Sequence, residues 1–261
     1  MLMVDESSKL GGPDSGGAAN RTTMSIGSYA GNLTPADARS LHREQLMRLI
    51  SDVNDAELLE FGGGRDPLIK LEELPENVNS YTVNDIDRGE LDLAPDGYKK
   101  ACFDVCGDVS EFHGRYDLII SKMFAEHAED GKAMHQNTLA LLKKGGVAFH
   151  FMPKLYSMPL LINIIFPERW SQAVLYRIQP SRRNEKPKFP AHYSWCRGTT
   201  KSIEERIKAL GYSEVVIIPF YGYRYFDKFP ILNQLEKITR KICIRYQFTF
   251  FSTNMFVFAK K

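Results

Sequence analysis

Long apolar runs are missing from this sequence. A membrane-spanning helix needs about 20 consecutive apolar residues, and the nearest stretch, 155–166, is too short. An excess of one charge is missing too: 34 Lys and Arg against 32 Asp and Glu leave a net charge of +2. That balance argues against binding nucleic acid through bulk electrostatics. Cysteine is sparse, and Cys102, Cys106, Cys196 and Cys243 show neither a Cys-x-x-Cys metal pair nor a compact disulfide framework. Reduced thiols and no metal site are expected. Residues 1–27 are rich in Gly, Ser and Asp and hold no apolar core behind positive charge, so they read as a disordered tail rather than a secretory signal. A cytoplasmic setting is the expectation.

With 261 residues and 43% hydrophobic content, the chain can bury one sizeable core, and residues 28–261 read as a single α/β domain. Apolar runs over 57–61, 80–84, 100–103, 117–121 and 147–152 alternate with helical segments, which predicts a doubly wound, mostly parallel sheet with helices on both faces. Runs over 215–220 and 248–258 bring the strand count to seven, the last expected to be buried on both faces. Thr34-Pro35 opens a helix whose Leu46, Leu49, Ile50 and Val53 form an apolar stripe. Ser202 with Glu205 reads as a capping box starting a helix with Ile203, Ile207 and Leu210 inward, stopped by Gly211.

The stretch Glu57-Leu58-Leu59-Glu60-Phe61-Gly62-Gly63-Gly64-Arg65-Asp66-Pro67 carries the most information. A strand ends on a carboxylate and breaks into three glycines, which lets a backbone curl tightly and aim amides at a ligand. Placed at Glu60, Gly62, Gly64 and Asp66, the pattern resembles motif I of the class I S-adenosylmethionine-dependent methyltransferases. Asp66 departs from it, standing where the third glycine usually falls, and is expected to turn away and cap a helix starting near Pro67.

Further landmarks follow in order. Tyr81-Thr82-Val83-Asn84-Asp85-Ile86-Asp87 resembles the family's acid-ended second strand, implying that Asp85, with Asp87 in reserve, accepts the cofactor's ribose hydroxyls and that Ile86 adjoins it. Asp104, after the third strand, resembles the residue that binds the adenine amino group, with Val105 near the adenine face. The strand at Tyr116-Asp117-Leu118-Ile119-Ile120-Ser121 resembles the family's fourth motif, putting Ser121 and Lys122 at the reaction edge. Leu141-Leu142-Lys143-Lys144-Gly145-Gly146 matches a leucine-rich helix ended by a left-handed glycine cap. The resemblance implies a Rossmann-like fold, S-adenosylmethionine as cofactor, and methyl transfer to a small-molecule or glycan-like acceptor through hydroxyl oxygen.

Residues 153–197 exceed a minimal fold and read as a substrate lid. Arg177, Arg182, Arg183, Lys186 and Lys188 are offset there only by Glu185, which suits an acidic acceptor. Methyl transfer to a hydroxyl gains from a base near neutral pH. His127, after the fourth strand, is the first candidate and His192 its rival, with Tyr156, Tyr193 and Arg197 lining the acceptor pocket; His150 reads as core. The basic amphipathic helix over 231–245 is expected to pack on its own domain, a membrane surface and a lipid-linked acceptor being the alternative. An NAD enzyme and a binding protein that kept only the fold are the competing readings. Ser121-Lys122-Met123-Phe124 lacks the Pro-Pro-aromatic motif of base amino-group methylation, while protein acceptors stay open.

Overall fold

The computed structural model describes residues 38–156, 190–222 and 230–261. Seven strands form one sheet: β1 (Ala56–Phe61), β2 (Val78–Asp85), β3 (Lys99–Cys102), β4 (Tyr116–Lys122), β5 (Leu142–Pro153), β6 (Glu214–Phe220) and β7 (Asn254–Lys260). Their order is β3-β2-β1-β4-β5-β7-β6. The first five run parallel, and β7 is antiparallel to both β5 and β6. Five helices accompany them among the described residues: α1 (Ala38–Ser51), α2 (Arg88–Asp92), α3 (Gly131–Leu141), α4 (Thr200–Lys208) and α5 (Pro230–Arg245).

Near-continuous apolar strands are needed where both faces of a sheet are covered. Leu58, Val83, Ile120, Phe149 and Phe258 pack with Leu46, Leu49 and Ile50 of α1 on one face. Leu59, Ile119, Ala148 and Val257 pack with Met134 and Leu141 of α3 and Ile203 and Ile207 of α4 on the other. Burying a side chain of this size contributes about 1.5–3 kcal/mol. The doubly wound fold is therefore as expected, and its parallel strands end along one edge.

Four local expectations are corrected. No helix follows Pro67; the chain instead reaches β2 through a single 3-10 turn, Leu71–Glu73. The Leu68 N–H is captured by the Glu60 carboxylate, and Asp66 closes a tight turn onto Gly63 O instead of capping a helix. Helix α3 stops at Leu141, before the glycines. Gly145, at φ +80°, serves a bulge in β5 where Tyr116 faces Leu142 but Leu118 faces Val147, and Lys143 reaches Asp117 at 2.5 Å across it. Thr199, not Ser202, caps α4, its hydroxyl accepting from Ser202 N. Residues 249–251 form a 3-10 turn and not strand, leaving Phe248, Phe250 and Phe251 exposed.

Helix α5 is where the sequence predicted it, but its apolar side is turned to solvent: Ile231 is 86% exposed, and Leu235, Ile238 and Ile242 are exposed too. That corrects the expectation of packing on its own domain. The expected tail, the helix start at Thr34-Pro35 and the basic part of the insertion lie outside the described residues.

Candidate functional site

The ends of β1, β2, β3 and β4 build a continuous rim. On β1, each glycine of the triplet has a neighbour that a side chain would displace. A Cβ on Gly62, at φ +69°, would run into the Phe124 ring. One on Gly63 would lie 2.6 Å from Val83 Cγ1, and one on Gly64, at φ +44°, 2.9 Å from Asp85 Oδ2. The loop is thus drawn against the end of β2 on one side and the β4 loop on the other. Gly63 N–H donates to Asn84 O at 3.1 Å, so that amide is bound to β2 and does not point to a ligand. Left-handed backbone costs a non-glycine residue roughly 1–2 kcal/mol. Gly64→Ala is expected to lower the melting temperature by several degrees and to push Asp85 aside, measurable by thermal melts and cofactor titration.

Glu60 is buried beneath this loop. Its carboxylate accepts from Leu68 N at 3.2 and 3.1 Å and from the Tyr81 hydroxyl. Burial pushes the group up to about 7, against the pull of those two donors. Burial, and then the neighbouring Glu60, raise Tyr81 in turn. The Glu60 side chain thus anchors the loop from below, an internal role in place of the cofactor contact that the resemblance to motif I implies for it.

Asp85 and Asp87 have separate tasks. Asp87 caps α2, accepting from Gly89 N at 2.8 Å. Asp85 is half-buried; one oxygen accepts from Asp87 N at 2.9 Å and the other abuts Gly64. Ile86 beside it is 65% exposed. Asp85 faces Cys102 across the β2–β3 pair, which puts Asp104 one short step further along the rim. Asp104 is exposed, with one oxygen accepting from Cys106 N at 2.8 Å. Val105 is corrected: it is 4% exposed within the core and offers no face to a ligand.

Ser121 is likewise turned inward, its hydroxyl 2.8 Å from His150 Nδ1. Its side chain is not a ligand contact, and His150 is a core residue held by burial down to about 4. Lys122 is exposed at the strand end, and its charge, after burial, helps hold His42 down to about 3. Met123 follows at φ +53°, an uncommon conformation for a residue of its size and one that clusters at working sites.

The loop after β4 gathers the candidate bases. His127 Nδ1 lies 2.9 Å from Pro190 O. A carbonyl only accepts, so Nδ1 carries the proton of the neutral ring and Nε2 its lone pair. Nε2 stands 3.8 Å from Glu126 Oε1. Glu126 is 5% exposed, and burial pushes it up to about 7; Glu126 Oε2 has no hydrogen-bond partner. The Glu126-His127 pair was visible in the sequence, but Glu126 was given no role of its own there. His192 N and Tyr193 N both donate to Glu126 O, at 2.8 and 3.0 Å, so the end of the insertion is tied to this loop. Arg197 donates to Tyr193 O and His192 O, holding the turn, and Tyr156 stacks on Phe250 at 4.6 Å. Among the described residues no cluster of side chains could hold a metal ion.

No family model matches this chain, and no curated protein matches its sequence. Solved structures do resemble its fold. A SAM-dependent methyltransferase from Archaeoglobus fulgidus superposes with a TM-score of 0.52 at 17% identity, covering 86% of this chain and 95% of its own. Phosphoethanolamine N-methyltransferase 2 of Haemonchus contortus gives 0.52 at 15% identity over 88% of this chain, which spans 54% of that protein's length. The [4+2]-cyclase SpnF gives 0.50 at 13% identity, covering 90% of each chain. The fold is that of the class I SAM-dependent methyltransferases. Because that fold also carries a cyclase, activity has to be argued from the site.

Proposed function

We propose that this chain is a SAM-dependent methyltransferase acting on a small-molecule or glycan-like acceptor, at a hydroxyl oxygen. The single observation that carries the reading is the glycine loop drawn against the Asp85 carboxylate at the adjacent strand end. S-adenosylmethionine supplies a sulfonium-borne methyl that is already electrophilic, so the protein chiefly positions an acceptor and manages its proton. Gly62, Gly63 and Gly64 permit close backbone approach, Asp85 accepts from the ribose hydroxyls, Ile86 offers an apolar surface, and Asp104 accepts from the adenine amino group. Lys122 and the backbone at Ser121 close the rim from β4. Reduced thiols, consistent with the free cysteines, suit a cytoplasmic enzyme.

His127 is the base: its Nε2 takes the acceptor's hydroxyl proton while Nδ1–H holds Pro190 O. Glu126 beside it stabilises the imidazolium when ionised. His192 positions the acceptor from the insertion side. Replacing His127 with alanine is expected to lower turnover by roughly 10²–10⁴, the usual contribution of a general base, with cofactor affinity unchanged. Equal turnover in a steady-state assay with labelled cofactor would reassign His127 to packing. The reading as a whole is tested by calorimetric titration with S-adenosylmethionine, S-adenosylhomocysteine and NAD, where binding of NAD alone overturns it. Cofactor binding without turnover across an acceptor screen that includes acidic and lipid-linked alcohols would favour a fold kept for binding.

A further inference from the structure

β5 ends at Pro153 and β6 ends at Phe220, and β7 begins opposite both, at Asn254. The connection from β6 to β7, which contains α5, therefore stands at the same edge of the sheet as the glycine loop. Along α5, Ile231, Leu235, Ile238 and Ile242 recur at helical spacing and are 86, 54, 49 and 45% exposed, and Tyr246 continues the line at 61%. Lys237, Lys241 and Arg245, spaced by four, run beside that stripe and are all exposed. The one acid of the helix, Glu236, is 5% exposed on the inward side, with Arg240 Nε at 3.7 Å. The helix is therefore mounted with its apolar face outward and a cationic flank.

The surface continues past the helix. Phe248, Phe250 and Phe251 are exposed in the following turn, and a mostly apolar cleft of about 230 Å³ opens between α5 and that turn, walled by Tyr221, Ile242, Cys243, Phe248 and Phe251 together with Glu236, Thr239 and Arg240. The turn is fixed to the body: Lys154 Nζ donates to Thr249 O and Thr200 N to Thr249 Oγ1 at 3.2 Å. No helix of the described residues is long and apolar enough to cross a membrane.

The geometry points to α5 and the 246–251 turn as a docking surface for an anionic lipid bilayer, with the apolar stripe and the phenylalanines entering the acyl boundary and the cations meeting lipid phosphates. Charge complementarity selects this occupant. A second copy docking by the same face would bring three more cations to the seam with no exposed acid of α5 to meet them, whereas lipid headgroups supply the anions.

Co-sedimentation of the full chain with phosphatidylcholine vesicles, with and without phosphatidylserine, tests the proposal without using the cofactor, so it stands or falls separately from methyl transfer. Binding is expected only with phosphatidylserine and to weaken as salt rises. The triple variant Lys237→Glu, Lys241→Glu, Arg245→Glu should lower partitioning by at least about 100-fold, from roughly fivefold per cation. Ile238→Glu, at an exposed position and checked for folding by thermal melt, should abolish it. Equal sedimentation with both vesicle types, variants that bind like the parent, or a parent that ignores vesicles but forms a dimer dispersed by Ile238→Glu would each overturn the proposal.

Discussion

Asp85→Ala is expected to weaken S-adenosylmethionine binding by roughly 10- to 100-fold while the fold survives. A carboxylate that accepts from a ligand hydroxyl contributes about 1.5–3 kcal/mol per bond, and this side chain sits at the strand end without burying apolar surface. Its structural contact is modest, one bond from Asp87 N at 2.9 Å. Asp87→Ala is the matched control. It removes the cap on α2, a five-residue helix, at a stability cost of about 1 kcal/mol, and should leave affinity within a few-fold. Calorimetry on both variants separates the two aspartates: loss of affinity on the Asp87 side alone would move the ribose contact there, and loss on neither would dissolve the assignment of this rim to a nucleoside.

Glu60→Gln is expected to stabilise the protein at pH 8 and to flatten its pH profile. Burial raises the Glu60 carboxyl from 4.5 to about 7, so the folded state holds a proton that the unfolded chain releases. The corresponding stability is fully present below about pH 4.5, declines as pH rises, and is gone above about pH 7. The span is worth about 3 kcal/mol at most, at 1.36 kcal/mol per pH unit. Glutamine removes the ionisation while its carbonyl still accepts from Leu68 N and the Tyr81 hydroxyl turns to receive its amide. Glu126, also raised to about 7 by burial, keeps its own share of the slope in the variant. Denaturant melts of parent and variant from pH 4 to pH 8 check this; parallel curves would show that Glu60 does not titrate in that window.

Much of the fold was legible because parallel strands announce themselves as short apolar runs ended by turn residues; the strands were placed within two residues except β5, which starts five residues earlier at Leu142, and the last, which starts at Asn254. Phe248, Phe250 and Phe251 read as strand because aromatic residues favour strands, yet the turn at 249–251 is held by Lys154 and Thr200, contacts that spacing cannot reveal. The helix expected after Pro67 failed for a similar reason, since Glu60 takes the Leu68 amide across eight residues. Within the candidate site, two aspartates two residues apart were open to the ribose role in sequence, and the Asp87 cap on Gly89 N and the Asp85 carboxylate against Gly64 tell them apart. Val105 and Ser121 were chosen by position along the chain; Ser121 is turned inward to His150 within β4, and Val105, in the turn after β3, is drawn into the core. For α5 the periodicity fixed which residues share a face but was silent on what lies against it.

The two rims of the sheet carry their own stops. β3 is four residues long and presents Lys99 and Lys100, while β6 at the opposite rim contains Pro219. Short length, lysine and proline each discourage an incoming chain from adding a strand. At the high concentrations of expression or refolding the described sheet edges therefore offer no inviting template for edge-to-edge fibrils, and a concentrated preparation is expected to keep its native strand content rather than form cross-β aggregates.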